Sequence, residues 1–160
     1  MLAVVRHILY LMLALVLQTT WLHHFEIAGV LPDLVLLVLI YIALTTGQLE
    51  ATILAFIVGL CQDSYAPADL GLNALAKSVV GFAVGFLRGG IMADTLQVQV
   101  AVVITAIGIH DFIYYVGASA YTMTEVSGLL LRYGLPRALY TALFALVLGC
   151  LLRLRRQVAA

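Results

Sequence analysis

The chain has 160 residues, of which 64% are hydrophobic and 10% charged, and its mean hydropathy is +1.14. Soluble domains usually carry about 25% charged residues, so this composition cannot build a water-covered surface and points to a lipid bilayer. Eight Lys or Arg balance eight Asp or Glu, which leaves no net charge to attract nucleic acid or an acidic substrate.

Apolar stretches separated by short polar or Gly/Pro-containing segments predict six transmembrane helices. They cover Leu2 to Leu22, Pro32 to Thr46, Leu49 to Tyr65, Leu72 to Gly90, Leu96 to Tyr121 and Leu135 to Leu152. The expected fold is an all-α membrane bundle in one domain over residues 1–160, with no repeat and no appended soluble part. Arg6 and His7 ahead of the first run imitate a secretory signal, but that run ends in Gln18, Thr19, Thr20 and Trp21 without a small-x-small cleavage site, so a retained helix is expected. The second run is short for a bilayer core of about 20 residues, either extended back through Ile27 or locally short. Pro32 suits a first helical position, where its missing N–H is unneeded, and Asp33 beside it favours the positive end of the helix dipole.

Orientation follows from the basic residues. Arg6, Arg88, Arg153, Arg155 and Arg156 fall on one side of a six-span layout, with Arg132 and Arg137 on the other and Lys77 inside the fourth helix. This bias predicts both termini in the cytoplasm. Trp21, Tyr65, Tyr121 and Tyr133 then sit near the outer interface, which favours amphipathic rings. Between the last two helices, Leu129, Leu130 and Leu131 suggest a short interfacial turn.

Small residues recur at four-residue spacing in two helices: Ala51, Ala55 and Gly59 in the third, and Gly81, Gly85 and Gly89 in the fourth. Such faces let backbones approach closely in lipid, either within the bundle or against a partner's helix. A bulky substitution such as Gly85→Leu is expected to break assembly.

Charges inside spans are the sharper signal. A central Asp costs about 2.5 to 3.5 kcal/mol on insertion scales, so Asp111 in the fifth helix, beside His110, must be buried against neighbours. Lys77, Asp63 and Asp111 fall at overlapping depths in the outer half, and Lys77 is expected to pair with Asp63 or Asp111. Such a cluster either lines a pocket or partner site or simply locks the helices together. Gln62, Asp63, Pro67, Asp69, Gly71 and Asn73 read as a turn, with Gly71 and Asn73 tolerating left-handed backbone.

Catalytic patterns find little support. His23, His24 and Glu26 lack the helical His-Glu-x-x-His spacing of a metal site, and no nucleophile elbow, P-loop or dinucleotide fingerprint occurs. Neither a catalytic residue nor a metal or cofactor is expected. Cys61 and Cys150 lie in apolar runs and read as packing residues.

The segments Pro32-Asp33-Leu34-Val35-Leu36-Leu37, Gly59-Leu60-Cys61-Gln62-Asp63 and Leu70-Gly71-Leu72-Asn73-Ala74-Leu75 resemble, in order and spacing, the rod shape-determining protein MreD family. The resemblance covers the second to fourth helices. It implies a non-catalytic scaffold or regulator in the bacterial inner membrane, acting in rod-shape elongation and peptidoglycan synthesis. It further implies binding to the membrane-anchored protein MreC and, through it, to peptidoglycan synthases and the actin-like filament. By the same analogy Pro32, Asp33, Gln62, Asp63, Gly71 and Asn73 shape an outward pocket or partner contact. The family is similar in fold to the substrate-binding subunits of energy-coupling-factor vitamin transporters. A vitamin-binding subunit is therefore the alternative, although the first helix lacks the small-residue face those subunits offer to their coupling partner.

Overall fold

The computed structural model describes residues 2–22, 26, 29–65, 67–89, 95–118 and 122–158, with the side chains of residues 2, 68, 96 and 150–158 excepted. His23, His24 and Tyr121 and the side chains of Cys150, Arg153, Arg155 and Arg156 lie outside this set, as do the expected helix ends at Gly90 and Tyr121.

Among the described residues the regular structure is helical: α1 (Leu2–Thr20), α2 (Leu34–Thr46), α3 (Gln48–Asp63), α4 (Leu72–Leu87), α5 (Leu96–Gly117), α6 (Met123–Leu129) and α7 (Leu135–Val158). α1 and α5 are long and apolar enough to cross a membrane, over Ala3–Thr20 and Gln97–Gly117; α2 and α4 are shorter apolar helices.

α2 is the hub, packed against α1, α3, α4, α5 and α7. Its Val35, Leu36, Leu39, Ile40, Ile42 and Ala43 are all buried, so it is apolar on every side, as a helix enclosed by others must be. At 13 residues it is about 20 Å long, and it is the locally short helix its sequence suggested. Pro32 is not its first helical residue. Asp33 takes the N-cap position, extended at φ −94° and ψ 90°, because its carboxylate can bind the free N–H of Leu36 at 2.8 Å and proline has no such group. At the other end Gly47 alone joins α2 to α3, at φ 101° and ψ −175°, a backbone state open essentially to glycine only.

α3 and α4 form the closest pair. A Cβ added to Gly59 would lie 2.5 Å from Ala74 Cα, one at Gly81 3.0 Å from Ala51 O, and one at Gly85 2.6 Å from Gln48 Cα. The two small-residue stripes thus face one another inside the bundle, where contact is by backbone. Gly89 departs from the pattern: nothing lies within 4 Å of its added Cβ.

The connection after α5 is not a simple turn of leucines. α6 opens with a capping box, in which Thr122 and Glu125 bond reciprocally, and a π-helical stretch, Leu130–Gly134, runs from α6 into α7. Leu135 N–H reaches back five residues to Leu130 O. Pro136 supplies the reason: it has no N–H, and its ring crowds the carbonyl four residues earlier, so the helix widens ahead of it.

The core is mostly apolar, but large apolar side chains also cover the outside, and several polar and charged ones lie within. Leu9, Leu13, Ile53, Phe56, Phe82, Phe86, Phe112, Leu139 and Leu143 are exposed, while His7, Asp33, Asp63, Lys77, His110, Asp111 and Thr141 are buried. Trp21 and Tyr65 are exposed near helix ends.

Candidate functional site: a buried ionic network

The buried charges gather at the end of the bundle where α1, α3 and α5 finish and α2, α4 and α7 begin. Asp33 is its centre and is completely buried. Its Oδ1 caps α2, while its Oδ2 accepts from Arg137 Nη2 at 2.7 Å and lies 4.0 Å from Lys77 Nζ. Its backbone N–H donates to Thr141 Oγ1 at 3.0 Å, and the Thr141 hydroxyl donates in turn to Arg137 O at 2.8 Å.

The network continues through α5. Arg137 Nη1 donates to Asp111 Oδ1 at 3.1 Å, His110 Nδ1 lies 3.0 Å from the same oxygen, and His110 Nε2 lies 3.0 Å from Lys77 Nζ. An ammonium can only donate, so Nε2 accepts from Lys77 and the ring proton sits on Nδ1, facing Asp111. With that neutral tautomer, two carboxylates, Asp33 and Asp111, balance two cations, Lys77 and Arg137. Lys77 also donates to Asn73 Oδ1 at 3.2 Å. Three buried charges, with that of Arg137 partly exposed, are affordable in low dielectric only when paired in this way.

Lys77 therefore pairs with neither expected partner. Asp63 is committed elsewhere: it accepts from the backbone N–H groups of Gly71, Asn73 and Ala74, each at 3.0 Å. These are the free donors at the start of α4, and three of them on one carboxylate, at the positive end of a helix, leave Asp63 no need of an ammonium. Asp111 is held by Arg137. The carboxylate that meets Lys77 is Asp33, which the sequence marked as a helix start and, by resemblance, as a pocket or partner residue, but not as a counter-ion.

Gly71 takes the left-handed conformation expected of it, at φ 97°. Asn73 does not; it lies in the first turn of α4, where its amide serves Asp63 and its side chain serves Lys77. Gln62 lies in the last turn of α3, its Oε1 buried and without a hydrogen bond, as is Asp111 Oδ2. Pro32 is buried beside the cap. Residues that sequence reasoning left out are Arg137, His110, Thr141 and Gln18, whose Oε1 accepts from Val35 N–H at 3.1 Å. Arg137 and Thr141 stand four apart in the first turns of a helix, a spacing that puts both on one face and could have flagged them. At the opposite end His7 Nδ1 meets Glu50 Oε1 at 2.7 Å, tying α1 to α3, another pair not anticipated.

Two open cavities adjoin these elements, each of about 280 Å³. One is an apolar groove between α4 and α5, lined by Val80, Val84, Leu87, Val102 and Ile109 among others. The other mixes polar and apolar lining and is bordered by Gln18, Gly29, Val30, Tyr115, Tyr133 and Arg137 among others. Among the described residues no three His, Cys, Asp or Glu side chains are grouped to hold a metal.

Asp33 and Asn73 of this network, and Asp63 beside it, fall in segments that resemble a known family, and the comparison with family profiles extends the likeness: the profile of rod shape-determining protein MreD matches residues 1–156. The chain belongs to the MreD family. Membership of MreD carries a role in rod-shape determination, and with two helices of spanning length it makes this a bacterial membrane protein. No curated protein and no solved structure matches the chain.

Proposed function

We propose that the chain is a six-span, non-catalytic scaffold of the bacterial inner membrane, both termini cytoplasmic, that binds a membrane-anchored MreC-like protein during cell elongation. Through that partner it acts on peptidoglycan synthases and the actin-like filament. Family membership supports the process. The observation that carries the scaffold role is the ionic network, in which α2, α4, α5 and α7 are locked by mutually neutralising side chains while the girth of the bundle presents large apolar residues. A rigid core with an apolar outside suits contact with another protein's transmembrane segment through van der Waals packing. α3 and α4 use their glycines on each other, so a partner helix meets leucine- and phenylalanine-rich faces.

Pairing of Lys77 and Arg137 also sharpens the topology. Neither counts as a loop charge, so Arg6, Arg88, Arg153, Arg155 and Arg156 at one end stand against Arg132 at the other, which favours cytoplasmic termini.

Affinity capture of the tagged chain from native membranes, with mass spectrometry of what co-purifies, tests this reading. A membrane-anchored coiled-coil protein together with cell-wall synthases is the expected result. Recovery of a coupling subunit with ATPases would overturn it in favour of a vitamin-binding subunit.

A further inference from the structure

The second cavity and Arg137 belong together. Of the five guanidinium N–H donors, one is directed to Asp33 and one to Asp111. The Arg137 side chain is 27% exposed, whereas Asp33 and Asp111 behind it are 0% and 1% exposed. Whatever enters the cavity therefore meets the cation and not the carboxylates that balance it. Gln18 turns its carboxamide oxygen to Val35 N–H, which leaves its NH2 as a donor. The hydroxyl-bearing rings of Tyr115 and Tyr133 join the rim of the lining, and Arg132, outside that lining, stacks over Tyr133 at 5.5 Å. One acid faces this rim: Glu26 Oε1 comes within 4.0 Å of where a Cβ on Gly29 would sit.

The geometry points to a binding site for a phosphate group, with Arg137 as its anchor and Gln18 as its second donor. A guanidinium fork with spare donors matches phosphate oxygens, and its retained bonds to Asp33 and Asp111 fix its orientation before a ligand arrives. A volume of about 280 Å³ is just below the roughly 300–1,000 Å³ of ordinary small-molecule sites, so it takes a headgroup-sized anion and not a large cofactor. The cavity lies at the end of the bundle, at headgroup level for a membrane-spanning chain. A phospholipid headgroup and a free phosphate ester share this chemistry. The leaflet involved rests on the topology proposed above; the preference for phosphate does not.

The test uses the purified full chain in nanodiscs. In native mass spectrometry, retention of phosphatidylglycerol, whose phosphate keeps its net charge, over phosphatidylcholine, whose choline cation balances the same phosphodiester, by about tenfold, a difference of one decade in affinity, is expected if the source is lipid. If it is a free ester, sn-glycerol 1-phosphate raises the Tm of the chain in pure phosphatidylcholine. Gln18→Glu is the informative variant, because a glutamate oxygen still accepts from Val35 N–H while its charge repels phosphate; Arg137→Gln is the second, read only if it folds. Loss of retention or of the Tm shift in Gln18→Glu, with an unchanged Tm in the absence of probe, supports the site. No response to either probe, or a response that Gln18→Glu leaves intact, overturns it, whichever proteins the chain is later found to bind.

Discussion

Arg137 Nη2 and Asp33 Oδ2 lie 2.7 Å apart across 104 residues of sequence, and this contact, beside the bond from Asp33 N–H to Thr141, holds the last long helix onto the central one. The same Asp33 caps α2 with its other oxygen. A residue that begins a helix is thus also the counter-ion for two cations, and its two oxygens divide the work.

That division predicts the behaviour of substitutions. Asp33→Asn keeps an oxygen for Leu36 N–H but removes the charge; Asp33→Ala removes both. Breaking a buried ion pair from one side typically costs about 3–5 kcal/mol, and loss of a cap about 1 more. Both variants should lower the Tm in detergent, Asp33→Ala the more. The double variant Asp33→Asn/Arg137→Met should recover part of the loss, since it leaves fewer unpaired charges; a double variant whose loss equals the sum of the singles would show that the pair is not coupled.

The commitment of Asp63 to α4 sets a second expectation. Asp63→Ala strips the acceptor from three backbone N–H groups, each hydrogen bond to a charged group being worth about 1.5–3 kcal/mol at most. Hydrogen exchange should then quicken in the first turn of α4 while the rest of the bundle stays protected. Coupling between Lys77 and Asp33 in double-variant cycles should exceed that between Lys77 and Asp63. The reverse order would restore the pairing that the sequence alone suggested.

Hydropathy was enough to find the long helices, most of whose ends fall within three residues of those expected, while α5 ends four residues earlier and α7 six residues later, because an apolar run in lipid has little alternative to a helix. Depth was legible too: Asp63, Lys77 and Asp111 do lie at one end of the bundle. Partner choice was not. Lys77 selects Asp33 over Asp63 because the N–H groups of Gly71, Asn73 and Ala74 at the start of α4 close on the Asp63 carboxylate; the spacing marks the turn but not which carboxylate it encloses. In the sequence Arg137 stands near a short loop and reads as a topology charge. Its role depends on the π-helical stretch ahead of Pro136, which sets where α7 begins.

Glycine substitutions separate packing from partner binding. A methyl at Gly59 or Gly85 meets backbone atoms of the facing helix, whereas one at Gly89 meets nothing within 4 Å. Gly59→Ala and Gly85→Ala should cost about 1–3 kcal/mol through overpacking, and Gly89→Ala should leave the Tm unchanged. Gly85→Leu should consequently reduce partner capture by lowering the amount of folded chain. If the folded fraction is intact and capture still falls, Gly85 contacts the partner directly.

The capping box of α6 gives the bundle a pH-sensitive edge. Hydrogen bonds from the Thr122 backbone N–H, and then from its hydroxyl, hold the Glu125 carboxyl below its ordinary value of 4.5. A group whose value is lowered by folding stabilises the ordered state fully above the ordinary value, and that contribution disappears as pH falls through the lowered one. A spin label at Gly128→Cys, in a chain with Cys61 and Cys150 replaced by serine, should stay immobile near neutrality and gain mobility on acidification below about 4.5. Glu125→Gln cannot titrate, so its label should show the same mobility at every pH. An acid response that persists in Glu125→Gln would assign the loosening to another group.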